Sequence, residues 1–511
     1  MGGAPPTVTG REGGIRARIS SDQRRTLAYA SAIGREFDFR LLAAALGAEE
    51  EPLAEQLEQL VALGALRERE GGDRFVFVHD DIRTQLYQEL TASRLRVIHR
   101  KIAEAMEAQL SPIPDEAIPE LSRHYFLAQM PEKSYRFNRV AANLADATST
   151  PEVAISHLER ARLDFQRLPQ LPPHEGVEVA LRLGSLYATI GEADQARRCF
   201  EDGLAEADAS TPGLRGRLLL ARASLDGARP VGESANESIR EARVLLELAH
   251  DGAGLARLHY LLSRGAETRG AFREALDEDL VAVDLLRENP DAGLAGLVEL
   301  HLACLCGRLG PDVRDEMNSW FERGVEHLVS VGDFADVARG YAIVGELVAE
   351  ERPSDGLALL LRAREYSERS REPRDVVRVT FHLVGVYLRM GHLLDAQRTL
   401  EEARRLKERH PDRIGDVLQE LARGQIAEWL GEAEVARLAY EEGLRLAIEH
   451  ELVVESLDAY FLLARMEVRH GEASQATAHL EAARSSGFSG VRPWLARQFA
   501  ELETEVKAAV S

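Results

Sequence analysis

Two short clusters in this 511-residue sequence hold side chains that could do chemistry. His79-Asp80-Asp81 sets an imidazole beside two carboxylates, the ingredients of an acid–base pair or a metal site. No second histidine stands four residues away, the helical spacing at which two imidazoles share a zinc ion, so His79 is better explained as structural. Cys304-x-Cys306 is the other cluster. Residues two apart on a helix point in different directions, and no second cysteine pair exists to complete a zinc site. These thiols read as small buried side chains. There is no Gly-x-x-x-x-Gly-Lys-Ser/Thr loop to cradle phosphates and no Gly-x-Ser-x-Gly elbow to present a nucleophile. The sequence therefore predicts a non-enzyme, with no catalytic residue, no metal and no cofactor.

Bulk composition narrows the class further. The net charge of −22 makes nucleic acid and anionic membranes poor partners for the chain as a whole. Only three cysteines occur, Cys199 being the third, which fits a reducing cytoplasm better than a disulfide framework. No apolar run approaches the ~20 residues needed to span a bilayer. A cytoplasmic location is expected.

The strongest pattern is a repeat. Leu183-Gly184-x-x-Tyr187-x-x-x-Gly191-x-x-x-x-Ala196-x-x-x-Phe200 has a large–small pair and an aromatic on a first helix, a glycine turn, then a small and a large residue on a second. This is the tetratricopeptide pattern. The small position of the second helix recurs at 154, 196, 235, 275, 315, 356, 396, 436 and 476, in steps of about 40 residues. Such units cannot bury an apolar face alone and must stack. The expected fold is all-α: a tetratricopeptide-like superhelical solenoid of about nine such repeats over 111–490, closed by a capping helix at 491–511.

In such arrays the first helix of each repeat lines the concave face. Carrying those positions along the chain gives a candidate groove of Arg257, Tyr260, Arg264, Arg308, Tyr341, Arg378, Phe381, Arg389, Trp429, Phe461, Arg465 and Arg469, with Glu267, Glu428 and Asp458 as acidic exceptions. Guanidinium groups clasp carboxylate or phosphate in bidentate fashion, and aromatics supply rigid apolar area. The expected occupant is a protein or peptide segment, possibly an acidic one, or a small anionic ligand. The competing account is that these arginines only balance the acidic helices behind them.

Residues 20–110 depart from the repeat, after a flexible linker at 1–19. A helix opening near Ser21, a second from about Phe39 to Leu46, a third from Pro52 to Leu63 and a hairpin turning at Gly71-Gly72 give the order of a small winged-helix module with one β-hairpin. The third helix is rich in carboxylates and has no lysine or arginine, which opposes DNA contact. The stretch Gly34-Arg-Glu-Phe-Asp, Leu63-Gly-Ala-Leu, Phe77-Val-His79-Asp-Asp-Ile-Arg, Leu86-Tyr87 and His99-Arg-Lys-Ile-Ala resembles the winged-helix region of bacterial signal-transducing ATPases with numerous domains. That family includes large transcriptional activators and kinase-fused regulators. The resemblance implies a nucleotide-binding domain before the winged helix, a tetratricopeptide sensor after it, and His79 packed between wing and next helix. The expected function is thus a regulatory sensor relaying groove occupancy to a nucleotide-binding domain of the same parent protein. A free-standing scaffold is the alternative, and a DNA-binding regulator a more distant one.

Overall fold

The computed structural model describes residues 18–69, 71, 73–147, 150–225, 233–268, 271–309, 314–370, 373–450, 452–485, 501–502 and 504–505. Among them are 24 α-helices and three short strands. The chain divides into two units, Met1–Leu214 and Arg215–Ser511.

The first unit opens with α1 (Ser21–Ile33), β1 (Glu36–Asp38), α2 (Phe39–Leu46), α3 (Glu50–Ala62), β2 (Leu66–Glu68) and β3 (Arg74–Phe77). Ser20, one residue before the expected start, caps α1: its hydroxyl accepts from the Gln23 amide while the Gln23 side chain reaches back to the Ser20 amide. Helix α3 starts at Glu50, so Pro52 is its third residue rather than its first. The expected hairpin is present, with Leu66 opposite Phe77 and Glu68 opposite Phe75. A third strand joins it: β1 pairs antiparallel to β3, placing Phe37 opposite Phe75. Leu53, Leu57 and Leu60 of α3 are buried while Glu51, Glu55 and Glu58 face solvent. His79 differs from expectation: it is exposed at the start of α4 (Asp80–Gln88) and makes no side-chain capping bond.

Beyond α4 come α5 (Ala92–Gln109) and α6 (Ile118–Leu127), then the hairpins α7 (Pro131–Ala147) with α8 (Pro151–Phe165) and α9 (Pro173–Thr189) with α10 (Ala193–Glu206). One apolar core runs from Ile19 through Ile98 and Tyr125 to Ala141, so the front elements and the first hairpin share it.

The second unit continues the hairpins. After α11 (Pro212–Ser224) and α12 (Glu233–Leu248) come α13 (Gly252–Thr268) with α14 (Phe272–Glu288), α15 (Ala292–Leu309) with α16 (Arg314–Val331), and α17 (Phe334–Ala349) with α18 (Pro353–Ser370). Then follow α19 (Pro373–Arg389) with α20 (Leu393–Arg409), α21 (Arg413–Trp429) with α22 (Ala433–Glu449), and α23 (Val453–Arg469) with α24 (Ala473–Ser485). The small markers sit where the pattern requires: Ala154, Ala196, Ala275, Ala396, Ala436 and Ala476 are wholly buried, and Gly356 is buried too. The side chains at 235 and 315 lie outside the described residues. This is a tetratricopeptide-like array of long hairpins.

Gly191, Gly391, Gly431 and Gly471 make the turns within hairpins at φ of 77° to 84°, a region costly for residues with a Cβ. The amide after each one bonds back into the first helix, as from His392 to the Tyr387 carbonyl and from Glu432 to that of Ala427, which closes the helix end. Gly391→Ala should therefore lower the denaturant midpoint of the array, by about 1–2 kcal/mol at that turn.

A buried polar chain links α4, α5 and α6. Tyr87 Oη lies 2.9 Å from His99 Nε2, and His99 Nδ1 lies 2.8 Å from His124 Nδ1. Both imidazoles are fully buried. Burial pushes His99 down to about 3, helped by His124 and Arg123, and lowers His124 despite Glu120 beside it. These folded-state values lie below the unfolded value of about 6.5, so below that pH the unfolded chain binds protons preferentially. The contribution of this pair to thermal stability should be flat above pH 7 and fall as pH drops from about 6.5 toward 4. His99→Gln should make the decline shallower, and an identical slope would refute the assignment.

Candidate ligand groove

The first helices of successive hairpins bring their side chains to one face because the hairpins repeat in register. Relative to the markers Ala396, Ala436 and Ala476, the residues fifteen earlier are Phe381, Leu421 and Phe461, and those eleven earlier are Gly385, Gln425 and Arg465. These six line a cavity of about 450 Å³, within the range of ligand sites. Arg389 and Arg469, seven before their markers, line it as well. Glu346 of α17 and Glu350, the residue that follows the helix, border one end. At the other, Glu501 and Glu505 stand forty residues beyond Phe461 and Arg465, and Leu502 packs with Leu457, Ala464 and Leu480. The remainder of the expected capping helix lies outside the described residues.

The floor is apolar and the rim is charged. Each rim arginine has a carboxylate of a neighbouring first helix. Arg389 Nη2 is 2.7 Å from Glu350 Oε1. Glu428 receives three donors: Tyr440 Oη at 2.9 Å, Arg465 Nη2 at 3.4 Å and Arg469 Nη1 at 2.6 Å. Burial, with the Glu428 charge beside it, pushes the Tyr440 hydroxyl well above its ordinary pKa. The Arg465 guanidinium lies over the Phe461 ring, and its buried Nε has no partner among the described residues. His382 Nδ1 lies 2.7 Å from Glu346 Oε1. Among the described residues no cluster of three or more His, Cys, Asp or Glu is arranged to hold a metal ion.

Of the twelve sequence candidates, the structure brings Phe381, Arg389, Phe461, Arg465 and Arg469 together in this cavity. Arg378 serves architecture instead: it makes a bidentate pair with Asp412 at 2.8 Å on both bonds, and Asp412 accepts from the Gly415 amide at the start of α21. Burial disfavours the Asp412 charge, but the bonds from Arg378 outweigh it and hold the carboxyl below its usual range. Arg217, Asp251 and Gly254 repeat the arrangement earlier in the unit. The Tyr341 ring packs between Phe321 and Tyr366, which makes it core. Trp429 is half exposed and does not line the cavity. Arg257 is exposed on α13. The side chain of Arg308 lies outside the described residues.

Tyr260 and Arg264 belong to a second polar cluster on α13, α14 and α15. His301 Nδ1 lies 2.6 Å from the buried Asp279 carboxylate and Nε2 3.1 Å from Glu267, with the Tyr260 ring edge-on to the imidazole and Arg264 3.3 Å from Glu267. Burial raises Asp279 even though His301 opposes it. Cys304 and Cys306 are buried, as expected from their spacing, and burial pushes their thiols up to about 12 and about 11.

Gly385 and Gln425 went unnoticed in the sequence, although the forty-residue register from Arg465 points to both.

No family model matches the chain, and no curated protein does. Solved structures do. A signal-transduction ATPase with numerous domains and a tetratricopeptide repeat sensor, from Pyrococcus horikoshii, shares 14% identity, with 99% of this chain and 68% of that one covered and a TM-score of 0.44. A Rap protein complexed with competence and sporulation factor shares 12% identity, with 66% and 100% covered and a TM-score of 0.46. The Rap conjugation gene regulator of plasmid pLS20 in complex with the Phr* peptide shares 15%, with 80% and 98% covered and a TM-score of 0.44. Likeness at this level transfers neither ligand nor residue roles.

The geometry around Glu428 separates architecture from rim. Glu428→Ala strands the buried Tyr440 hydroxyl and leaves Arg465 without its carboxylate, so it should destabilise by about 1–3 kcal/mol. Arg469→Ala removes a mostly exposed partner and should cost under about 1 kcal/mol. Denaturant midpoints of the two variants check the contrast.

Proposed function

We propose that this chain is a regulatory binding module whose array takes a peptide or protein segment in the cavity spanning α17 to α23. One observation carries the reading: side chains repeating every forty residues form an apolar floor under a charged rim, in a cavity of about 450 Å³. The occupant is a segment with apolar and charged character together. A simply acidic ligand fits less well, because Arg389, Arg465 and Arg469 already have Glu350 and Glu428 as partners.

The front of the first unit supports the other half of the reading. Helix, strand, helix, helix and two further strands is the order of a winged helix, with the extra strand β1 completing the sheet. The carboxylates exposed on α3 disfavour phosphate contact, so the module is read as a relay surface for a nucleotide-binding domain of the parent protein. For occupancy to be relayed, the ligand must bind one arrangement of array and relay more tightly than another.

Panning a library of random linear twelve-residue peptides on the full chain tests the groove. Selected peptides should bind Phe461→Ala and Arg465→Glu at least tenfold more weakly than the parent chain. Failure to enrich any sequence, or affinities unchanged by both substitutions, would sink the proposal. The pure chain should release no phosphate from ATP in a malachite-green assay, and reproducible turnover would overturn the non-enzyme reading.

A further inference from the structure

The geometry points to Gly385 as the anchor position of the cavity: we propose that it makes room for a large apolar side chain of a bound peptide, with a cationic residue of that peptide received by Asp458, Glu501 and Glu505. This rests on the groove reading above and names the chemistry of its ligand.

Glycine inside a helix weakens it relative to alanine, so each one calls for an explanation. Close packing supplies it at other mid-helix glycines of the unit. A Cβ at Gly424 would come within 2.4 Å of the Tyr440 ring, one at Gly345 within 3.1 Å of Leu360, and one at Gly443 within 2.8 Å of Leu421. Gly385 is different. A Cβ there would meet only Gln425 Oε1, at an ordinary 3.5 Å. Packing does not demand a glycine in the middle of α19, yet the missing side chain opens the cavity wall between Phe381, one turn before, and Arg389, one turn after. The space lies over the floor formed by Phe381, Leu421 and Phe461, surfaces that hold an aromatic or leucine-sized side chain by area and shape.

The lining charge selects what accompanies that side chain. Three arginines and His382 line the cavity against five carboxylates, those of Glu346, Glu350, Asp458, Glu501 and Glu505; Glu350 engages Arg389, Glu346 engages His382 and Glu428 engages Arg465 and Arg469, so the carboxylates stay in excess. The field within the cavity therefore favours a cation. Asp458, Glu501 and Glu505 belong to α23 and the helical residues beyond it, so the cation enters from that side.

Peptides selected on the full chain from the random library should place Leu, Phe or Trp within two or three residues of Lys or Arg. Gly385→Leu should weaken their binding at least tenfold while its melting temperature equals or exceeds that of the parent chain. Glu501→Arg with Glu505→Arg should weaken binding of the cationic peptides and leave their alanine-substituted forms unaffected. Undiminished binding to Gly385→Leu overturns the anchor assignment, and so does a clear loss of thermal stability, which would mean the position is packed. If Phe461→Ala still weakens binding in that case, the groove reading survives. If both substitutions are silent, or the library yields nothing, the two readings fall together. Selected peptides without the apolar–cationic pairing overturn the ligand chemistry.

Discussion

Close approach of two helices at a small residue is the constraint on which the rest of this structure depends. At the core of a hairpin, the residue twelve before each marker faces the residue four after it. Where the first is glycine, the second is aromatic: a Cβ on Gly184 would collide with the Phe200 ring at 2.4 Å, and one on Gly424 with Tyr440 at the same distance. Where it is alanine, as at Ala142 and Ala464, the partners are Leu158 and Leu480. In these four hairpins the summed volume stays nearly constant, whereas Val344 with Leu360 and Val384 with Leu400 fill more space at the same two positions. Each hairpin packs on the next, and an array of nearest-neighbour contacts follows. The pattern breaks at Ser263 and Asp279, where a polar pair replaces the apolar one and His301 is drawn in beside it. A buried carboxylate at a position that is Leu158, Phe200, Tyr440 and Leu480 in the hairpins above is a local departure from that packing.

That regularity is why the array could be read from the sequence. A residue type recurring every forty positions is a strong signal, and the seven markers with described side chains are buried. The front elements were legible for a related reason: turn glycines and apolar alternation bracket the hairpin. Strand β1 was missed because three residues, Glu36 to Asp38, are too short to show a period. The His99–His124 pair is not visible in the pattern because both residues precede the repeats, where no period relates positions twenty-five residues apart.

The site was legible in part. Searching first helices for arginine and aromatic residues found Phe381, Arg389, Phe461, Arg465 and Arg469, but the same search collected Tyr341 and Arg378, which serve packing and helix capping. Residue type alone cannot separate these roles, since an arginine that clamps the Asp412 carboxylate and one that lines a cavity look alike in one dimension. Register alone does not separate them either: Tyr341 lies fifteen before Gly356, as Phe381 and Phe461 lie fifteen before their markers, and Trp429 shares the position of Arg389 and Arg469, yet neither lines the cavity. Gly385 escaped for the opposite reason. A site built by removing a side chain leaves nothing for a search by reactive type to find.

Many of the ion pairs follow the same forty-residue logic and explain how an acidic chain accommodates arginine on its first helices. Arg139 with Glu178, Arg364 with Glu402, Arg389 with Glu350 and Arg469 with Glu428 are separated by 38 to 41 residues, so each couples one hairpin to the next. Being mostly exposed, such pairs add little stability individually and mainly set the register between neighbours. The positions that lock the array are therefore of fixed size, as at the markers, or of fixed charge, as in these pairs. The positions eleven before the markers vary more: Gly345 is close-packed on Leu360, whereas along the cavity they read Gly385, Gln425 and Arg465, the last paired with Glu428, and Glu505 stands at the same spacing beyond. Four consecutive positions with four unrelated chemistries cannot all serve one packing role. A position that varies while the crossing positions stay small can line a cavity without disturbing the contacts that hold the hairpins together.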